Sequence, residues 1–154
     1  MMLKKILIVC VGNVCRSPMA AAMLKQQQPT LTIASAGLNA LVGEPTDTHA
    51  IAVMDEVNID VRAHRAQQLT DDLMQQFDLV LCMSKKQASW IKQHWPMHRG
   101  KVYRLGHWIN QDIKDPYQAP IEVFTQVRDL IHQATDSWHD ELSSRQPEAS
   151  DIAI

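Results

Sequence analysis

Three cysteines in 154 residues are too few, and odd in number, for the disulfide framework of a secreted domain. No apolar run approaches the length of a membrane span, so membrane insertion is not expected. The N-terminus passes directly into a strand-like segment, so no signal peptide is expected. Charge is nearly balanced, 15 Lys and Arg against 17 Asp and Glu, which lacks the overall basic excess of a nucleic-acid binder. His49, His94, His98, His107, His132 and His139 show no metal-ligand spacing of the His-Glu-x-x-His kind. Internal repeats and low-complexity stretches are also missing. These absences leave a single-domain protein of a reducing, cytoplasmic compartment, with no nucleic-acid partner and no metal. The four tryptophans are scattered and read as core or rim, and Lys85-Lys86 reads as a solvated helix face.

What is present is an alternation of strand and helix signals. Lys5 to Val9 is an apolar, β-branched run, and the helix formers Met19 to Leu24 follow Pro18. Leu31 to Ser35 reads as a second strand. Asp47 or Thr48 can cap a helix through Ile51, Ala52, Met54 and Val57. Thr70-Asp71-Asp72 opens short helical content to about Gln76, and Phe77 to Met83 is the next strand. Ser84 caps a helix to about His94 that Pro96 ends, and Lys101 to Leu105 is the last strand. From Pro120, the residues Ile121, Phe124, Val127, Ile131, Ala134, Trp138 and Leu142 recur at helical spacing and predict one buried face. The expected fold is α/β: one domain over residues 1–143, a parallel sheet of about four strands flanked by helices, then a polar tail over 144–154.

The chemistry concentrates between the first strand and the first helix, in Cys10-Val11-Gly12-Asn13-Val14-Cys15-Arg16-Ser17-Pro18. A tight loop running into a helix N-terminus turns backbone N–H groups inward and presents the positive end of the helix dipole, so it binds anions. Cys10 lies at the floor of that pocket, where the same amides and Arg16 favour its thiolate. Arg16 can hold two phosphate oxygens at once, a geometry lysine lacks. Ser17 can offer its hydroxyl to the Cys10 sulfur. A thiolate that attacks phosphorus expels an alkoxide or phenoxide, which needs a proton, and Asp115-Pro116-Tyr117 offers a carboxyl on a loop stiffened by proline.

Cys10-x5-Arg16-Ser17 resembles the signature loop of phosphatases that work through a phosphocysteine. The full string is similar to that of the low-molecular-weight protein tyrosine phosphatases, and the resemblance extends to the Asp-Pro-Tyr segment. It implies phosphate binding by Val11, Gly12, Asn13, Val14, Cys15 and Ser17, with Cys10 as nucleophile and Asp115 as acid and then base. Tyr117 would line the entrance. The resemblance further implies that Asn13 holds the loop shape with His64 behind it, although Gln67 stands where the family often has arginine. It also suggests that Cys15 captures oxidised Cys10 as a reversible disulfide. Leu41 occupies a region where many members carry an aromatic cleft residue. With Gly106-His107-Trp108, it resembles the bacterial branch paired with membrane tyrosine autokinases of capsule and exopolysaccharide export. A phosphotyrosine protein, in particular such a kinase, is the implied partner, and no cofactor is implied.

Two other functions share these features. A thioredoxin-coupled arsenate reductase uses a similar loop but needs a relay of three thiols, and Cys82, the only cysteine outside the loop, falls in an expected buried strand. A non-catalytic phosphotyrosine-binding module would need neither Cys10 nor Asp115.

Overall fold

A computed structural model describes residues 3–145. The elements run β1 (Lys5–Cys10), α1 (Arg16–Gln27), β2 (Thr32–Gly37), α2 (Thr48–Asp55), α3 (Asp71–Gln76), β3 (Leu79–Cys82), α4 (Lys85–His94), a 3-10 turn (Pro96–Lys101), β4 (Val102–Arg104) and α5 (Ile121–Arg145). The four strands form one parallel sheet in the order β2-β1-β3-β4, as the alternation predicts.

The central strand explains the layering. Ile6, Leu7, Ile8 and Val9 are all fully buried, because β1 is paired on both edges and covered on both faces. Successive side chains of a strand point to opposite faces. Ile6, Ile8 and Cys10 accordingly pack with α1, α2 and α5, through Met19, Leu24, Met54, Phe124 and Ile131. Leu7 and Val9 pack on the other side with Met74 of α3 and Ala88 and Ile91 of α4. Each large aliphatic side chain buried this way contributes roughly 1.5–3 kcal/mol. Because α1 leaves β1 on one face and α4 leaves β3 on the other, a crevice opens between these strands at their carboxyl ends. No described helix is long and apolar enough to cross a membrane.

Local signals fix the element boundaries. Asp47 caps α2 by accepting from His49 N, Thr70 caps α3 from Leu73 N, and Ser84 caps α4 from Gln87 N. Trp95, preceding Pro96, leaves helical geometry and closes α4. Helix α1 begins two residues before Pro18, which still lies in the first turn, where no backbone donor is needed.

The long helix departs from expectation at its start. Ile121 is 39 % exposed rather than buried. It is the first residue of α5, ahead of the point where the helix meets the core, and the buried stripe begins at Phe124. That stripe also takes in Thr135, whose hydroxyl donates to His132 O within its own helix. Helix α5 continues through Arg145, past the expected boundary at 143. The rest of the expected tail lies outside the described residues.

Candidate active site

The loop from Cys10 to Arg16 is held open by its carbonyls. Cys10 O accepts from Leu38 N, Val11 O from Asn39 N, Gly12 O from Leu41 N and Val14 O from Asp47 N, at 2.8–3.0 Å. Asn13 O bonds His64 Nε2 at 2.7 Å, and Cys15 O accepts from Met19 N at 3.3 Å. Every carbonyl from Cys10 to Cys15 is thus tied to surrounding chain. By contrast, no amide from Val11 to Ser17 donates a hydrogen bond among the described residues. Backbone donors in a folded interior are rarely left over. A row of them facing one crevice at a helix N-terminus is a cradle for an oxyanion.

The sequence permits this shape at two positions. Asn13 adopts φ +60°, the left-handed region that asparagine tolerates. Gly37, at the end of β2, lies against the loop so closely that a Cβ would stand 2.6 Å from Val11 O.

At the floor of the cradle the Cys10 sulfur is 2.9 Å from Ser17 Oγ, and both residues are buried. The neighbours of Ser17 leave its hydroxyl hydrogen free for that sulfur. Gln67 N donates to Asn13 Oδ1 at 2.9 Å, which orients the asparagine amide. Asn13 Nδ2 then donates to Ser17 Oγ at 2.7 Å and to Ser35 Oγ at 3.0 Å. With its oxygen accepting from Asn13, Ser17 has its own hydrogen left to donate to the Cys10 sulfur.

Arg16 is only 4 % exposed. Its Nη1 donates to Ile113 O at 2.8 Å, its Nη2 lies 3.5 Å from Asp115 Oδ2, and its buried Nε has no partner among the described residues. A guanidinium pinned at one end, with buried donors to spare, matches a tetrahedral oxyanion. Asp115 Oδ1 also accepts from Tyr117 N at 3.1 Å, a turn within the Asp-Pro-Tyr segment that holds the carboxyl over the cleft. Cys10, Val11, Gly12, Val14, Cys15, Arg16, Asn39, Leu41, Asp115 and Tyr117 line one pocket of about 170 Å³.

Of the residues expected from sequence, Asn13 and Ser17 lie beneath this pocket, and His64 sits behind the loop on Asn13 O. Burial lowers the His64 pKa, and nearby Arg65 adds to the effect. Cys15 is the N-cap residue of α1, and burial, with Asp47 next in effect, pushes its thiol pKa up. Cys82 is buried in β3, with its pKa raised to about 12, chiefly by burial. Among the described residues no three His, Cys, Asp or Glu side chains group as metal ligands.

Sequence reasoning missed Asn39 in the pocket wall, the Ser35 hydroxyl and the Ile113 carbonyl that pins Arg16. Gln67, noted only as a departure, supplies the amide that orients Asn13 and bonds Ser35 O through its side chain. No spacing signal marks these residues, because β2, the 64–70 segment and the 113–117 segment meet the loop only through the fold.

A thiol at the floor of an amide cradle, with a guanidinium beside it and a carboxyl above, equips a cleft for phosphoryl transfer through sulfur. Comparison with known proteins agrees. Residues 5–148 match the low molecular weight phosphotyrosine protein phosphatase family. The low molecular weight protein-tyrosine-phosphatase Ptp of Acinetobacter johnsonii is 44 % identical over 138 residues, covering 90 % of this chain and 97 % of that one. The crystal structure of the Erwinia amylovora tyrosine phosphatase AmsI superposes with a TM-score of 0.89 at 42 % identity, covering 92 % of this chain and 95 % of that one. Vibrio vulnificus Wzb in complex with benzylphosphonate gives 0.87 at 42 % identity, covering 90 % and 99 %. The chain belongs to the low molecular weight protein tyrosine phosphatases and is a phosphatase of that class.

Proposed function

We propose that the chain hydrolyses phosphotyrosine in two steps through a phosphocysteine on Cys10. The observation that carries this reading is the shared pocket of Cys10, Arg16, Asp115 and Tyr117 at the mouth of an amide cradle. In the first step the Cys10 sulfur forms a bond to phosphorus as the bond to the tyrosyl oxygen breaks, and Asp115 gives that oxygen its proton. The loop amides and Arg16 hold the equatorial oxygens, where charge must be stabilised in the loose transition state. In the second step water attacks phosphorus, its proton passes to Asp115, and Cys10 leaves as a thiolate. The Ser17 hydroxyl at 2.9 Å stabilises that leaving sulfur. The chemistry calls for no metal or organic cofactor. Leu41 and Tyr117, both exposed at the rim, form an apolar entrance suited to an aryl group.

For the substrate, the reading is a phosphotyrosine segment of a membrane tyrosine autokinase in capsule or exopolysaccharide production, met on the cytoplasmic side. The resemblance of Leu41 and of Gly106-His107-Trp108 to that bacterial branch supports it. Relatives bearing the names Wzb, EpsP and AmsI are in keeping with it.

The experiment compares aryl phosphates of graded leaving-group pKa. Cys10→Ser is expected to abolish turnover of all of them. Asp115→Asn is expected to slow esters of basic phenols by about 10²–10⁴-fold and esters of acidic phenols far less. Turnover by Cys10→Ser, or an equal loss for both kinds of ester in Asp115→Asn, overturns the assignment.

A further inference from the structure

The near-neutral total charge conceals a strong segregation. Leu79 to Gln111 holds six of the fifteen Lys and Arg residues and none of the seventeen Asp and Glu. Within it Arg104 is engaged by Asp112, and the Lys101 ammonium donates to Phe77 O. The other four cations, Lys85, Lys86, Lys92 and Arg99, form no salt bridge and donate no side-chain hydrogen bond among the described residues. Lys85, Lys86 and Arg99 are exposed, and all four lie on α4 or the 3-10 turn that follows it.

Large apolar groups stand on the same surface. Trp90 is 48 % exposed and Met97 is 73 % exposed. Lys86, Trp90 and His94 follow one another at four-residue spacing along the outer face of α4, with the His94 ring stacked on Trp90 at 4.9 Å. Helix α4 buries Ala88 and Ile91 against the sheet, so this row faces away from the core. His94 and Met97 border a recess with Asp71 and Gln75, and the exposed tryptophan and methionine standing among unpaired cations match the interface of an anionic bilayer. There the indole settles at headgroup level and the ammonium groups meet lipid phosphates.

We propose that the outer face of α4 and the adjoining 3-10 turn docks the protein peripherally on an anionic lipid surface, through Lys85, Lys86 and Arg99 around Trp90 and Met97. The acidic remainder of the chain is repelled by the same surface, so docking has a set orientation. Lys85 N bonds Asp112 in the segment that leads to Asp115, so the docking face begins beside the catalytic rim and runs down the flank. The proposal does not depend on the catalytic reading, since no docking residue lines the pocket.

The test is sedimentation of the full chain with vesicles of phosphatidylcholine alone and of phosphatidylcholine with phosphatidylglycerol, at low and high salt. Binding is expected only to the anionic vesicles and is lost at high salt. With each cation contributing about fivefold, the double variant Lys85→Gln/Lys86→Gln is expected to bind about 25-fold more weakly. The vesicle-induced blue shift of tryptophan emission is expected to be lost in Trp90→Phe. Aryl phosphate turnover, unchanged in all these variants, shows that they are folded and reads the catalytic proposal separately. No binding to anionic vesicles, equal binding to neutral ones, or undiminished binding by the double variant overturns the proposal. So does binding to poly-glutamate without binding to vesicles, which would assign the face to an acidic protein.

Discussion

Asn13 is the residue on which the shape of the cradle depends, and its replacement has a calculable effect. In Asn13→Ala three side-chain hydrogen bonds disappear, to Ser17, Ser35 and the Gln67 amide. Asn13 itself is fully buried, so water reaches the abandoned partners poorly. Leaving a buried polar group unpaired costs about 1–3 kcal/mol. Ser17 retains Cys10, so two groups, the Ser35 hydroxyl and the Gln67 N–H, bear the larger penalty. Holding alanine at φ +60° adds about 1–2 kcal/mol, which asparagine largely avoids. The expected loss is about 3–8 kcal/mol, a large part of the roughly 5–15 kcal/mol of a typical domain. Asn13→Gly removes the same hydrogen bonds but accepts the backbone angle, so it should cost about 1 kcal/mol less than alanine. Urea unfolding monitored by tryptophan fluorescence measures both variants. A loss below about 1 kcal/mol for alanine, or glycine no better than alanine, would refute this account of the loop.

Two further predictions concern protons and thiols. His64 is held below its ordinary pKa in the folded chain, so the unfolded chain takes up a proton first as pH falls. Its contribution therefore lowers stability progressively below pH about 6.5 and leaves stability unaffected above that value. His64→Gln should show a shallower acid-side decline than the parent in unfolding measured across pH, and parallel curves would refute it. Burial keeps Cys15 and Cys82 as protonated thiols, so iodoacetamide near neutral pH should modify neither in the native protein. Peptide mapping that found either one alkylated as fast as in urea would contradict this.

The sequence was most legible where function is local. Cys10, Arg16 and Ser17 lie on one short loop, and β1 and α1 around it are signalled by ordinary periodicity and by Pro18. Asp115 was singled out through the resemblance carried by Asp115-Pro116-Tyr117, a segment that forms a compact turn closed by the Tyr117 amide on the carboxylate. The boundaries of α2, α3 and α4 were legible through Asp47, Thr70 and Ser84. What could not be read was long-range. Ser35 looks like one hydroxyl of an alternating strand until β1 and β2 pair and bring it beneath Asn13. The Ile113 carbonyl that pins Arg16 lies 97 residues away, and a backbone acceptor has no residue type to announce it. Ile121 fits the periodic pattern of α5, yet periodicity does not say where along a helix the core begins.

The outward ties of the loop carbonyls have a consequence for how its motion would be measured. Amide hydrogen exchange equates slow exchange with rigidity, because exchange usually requires a hydrogen bond to open. Here the amides from Val11 to Ser17 have no hydrogen bond to open among the described residues, although the loop carbonyls are fastened to the 38–41 segment, Asp47 and His64. They would exchange quickly in the free protein and slowly once an oxyanion accepts them. A loop pinned through every carbonyl would then look mobile, and the change on binding would record occupancy of the cradle rather than any ordering of the chain.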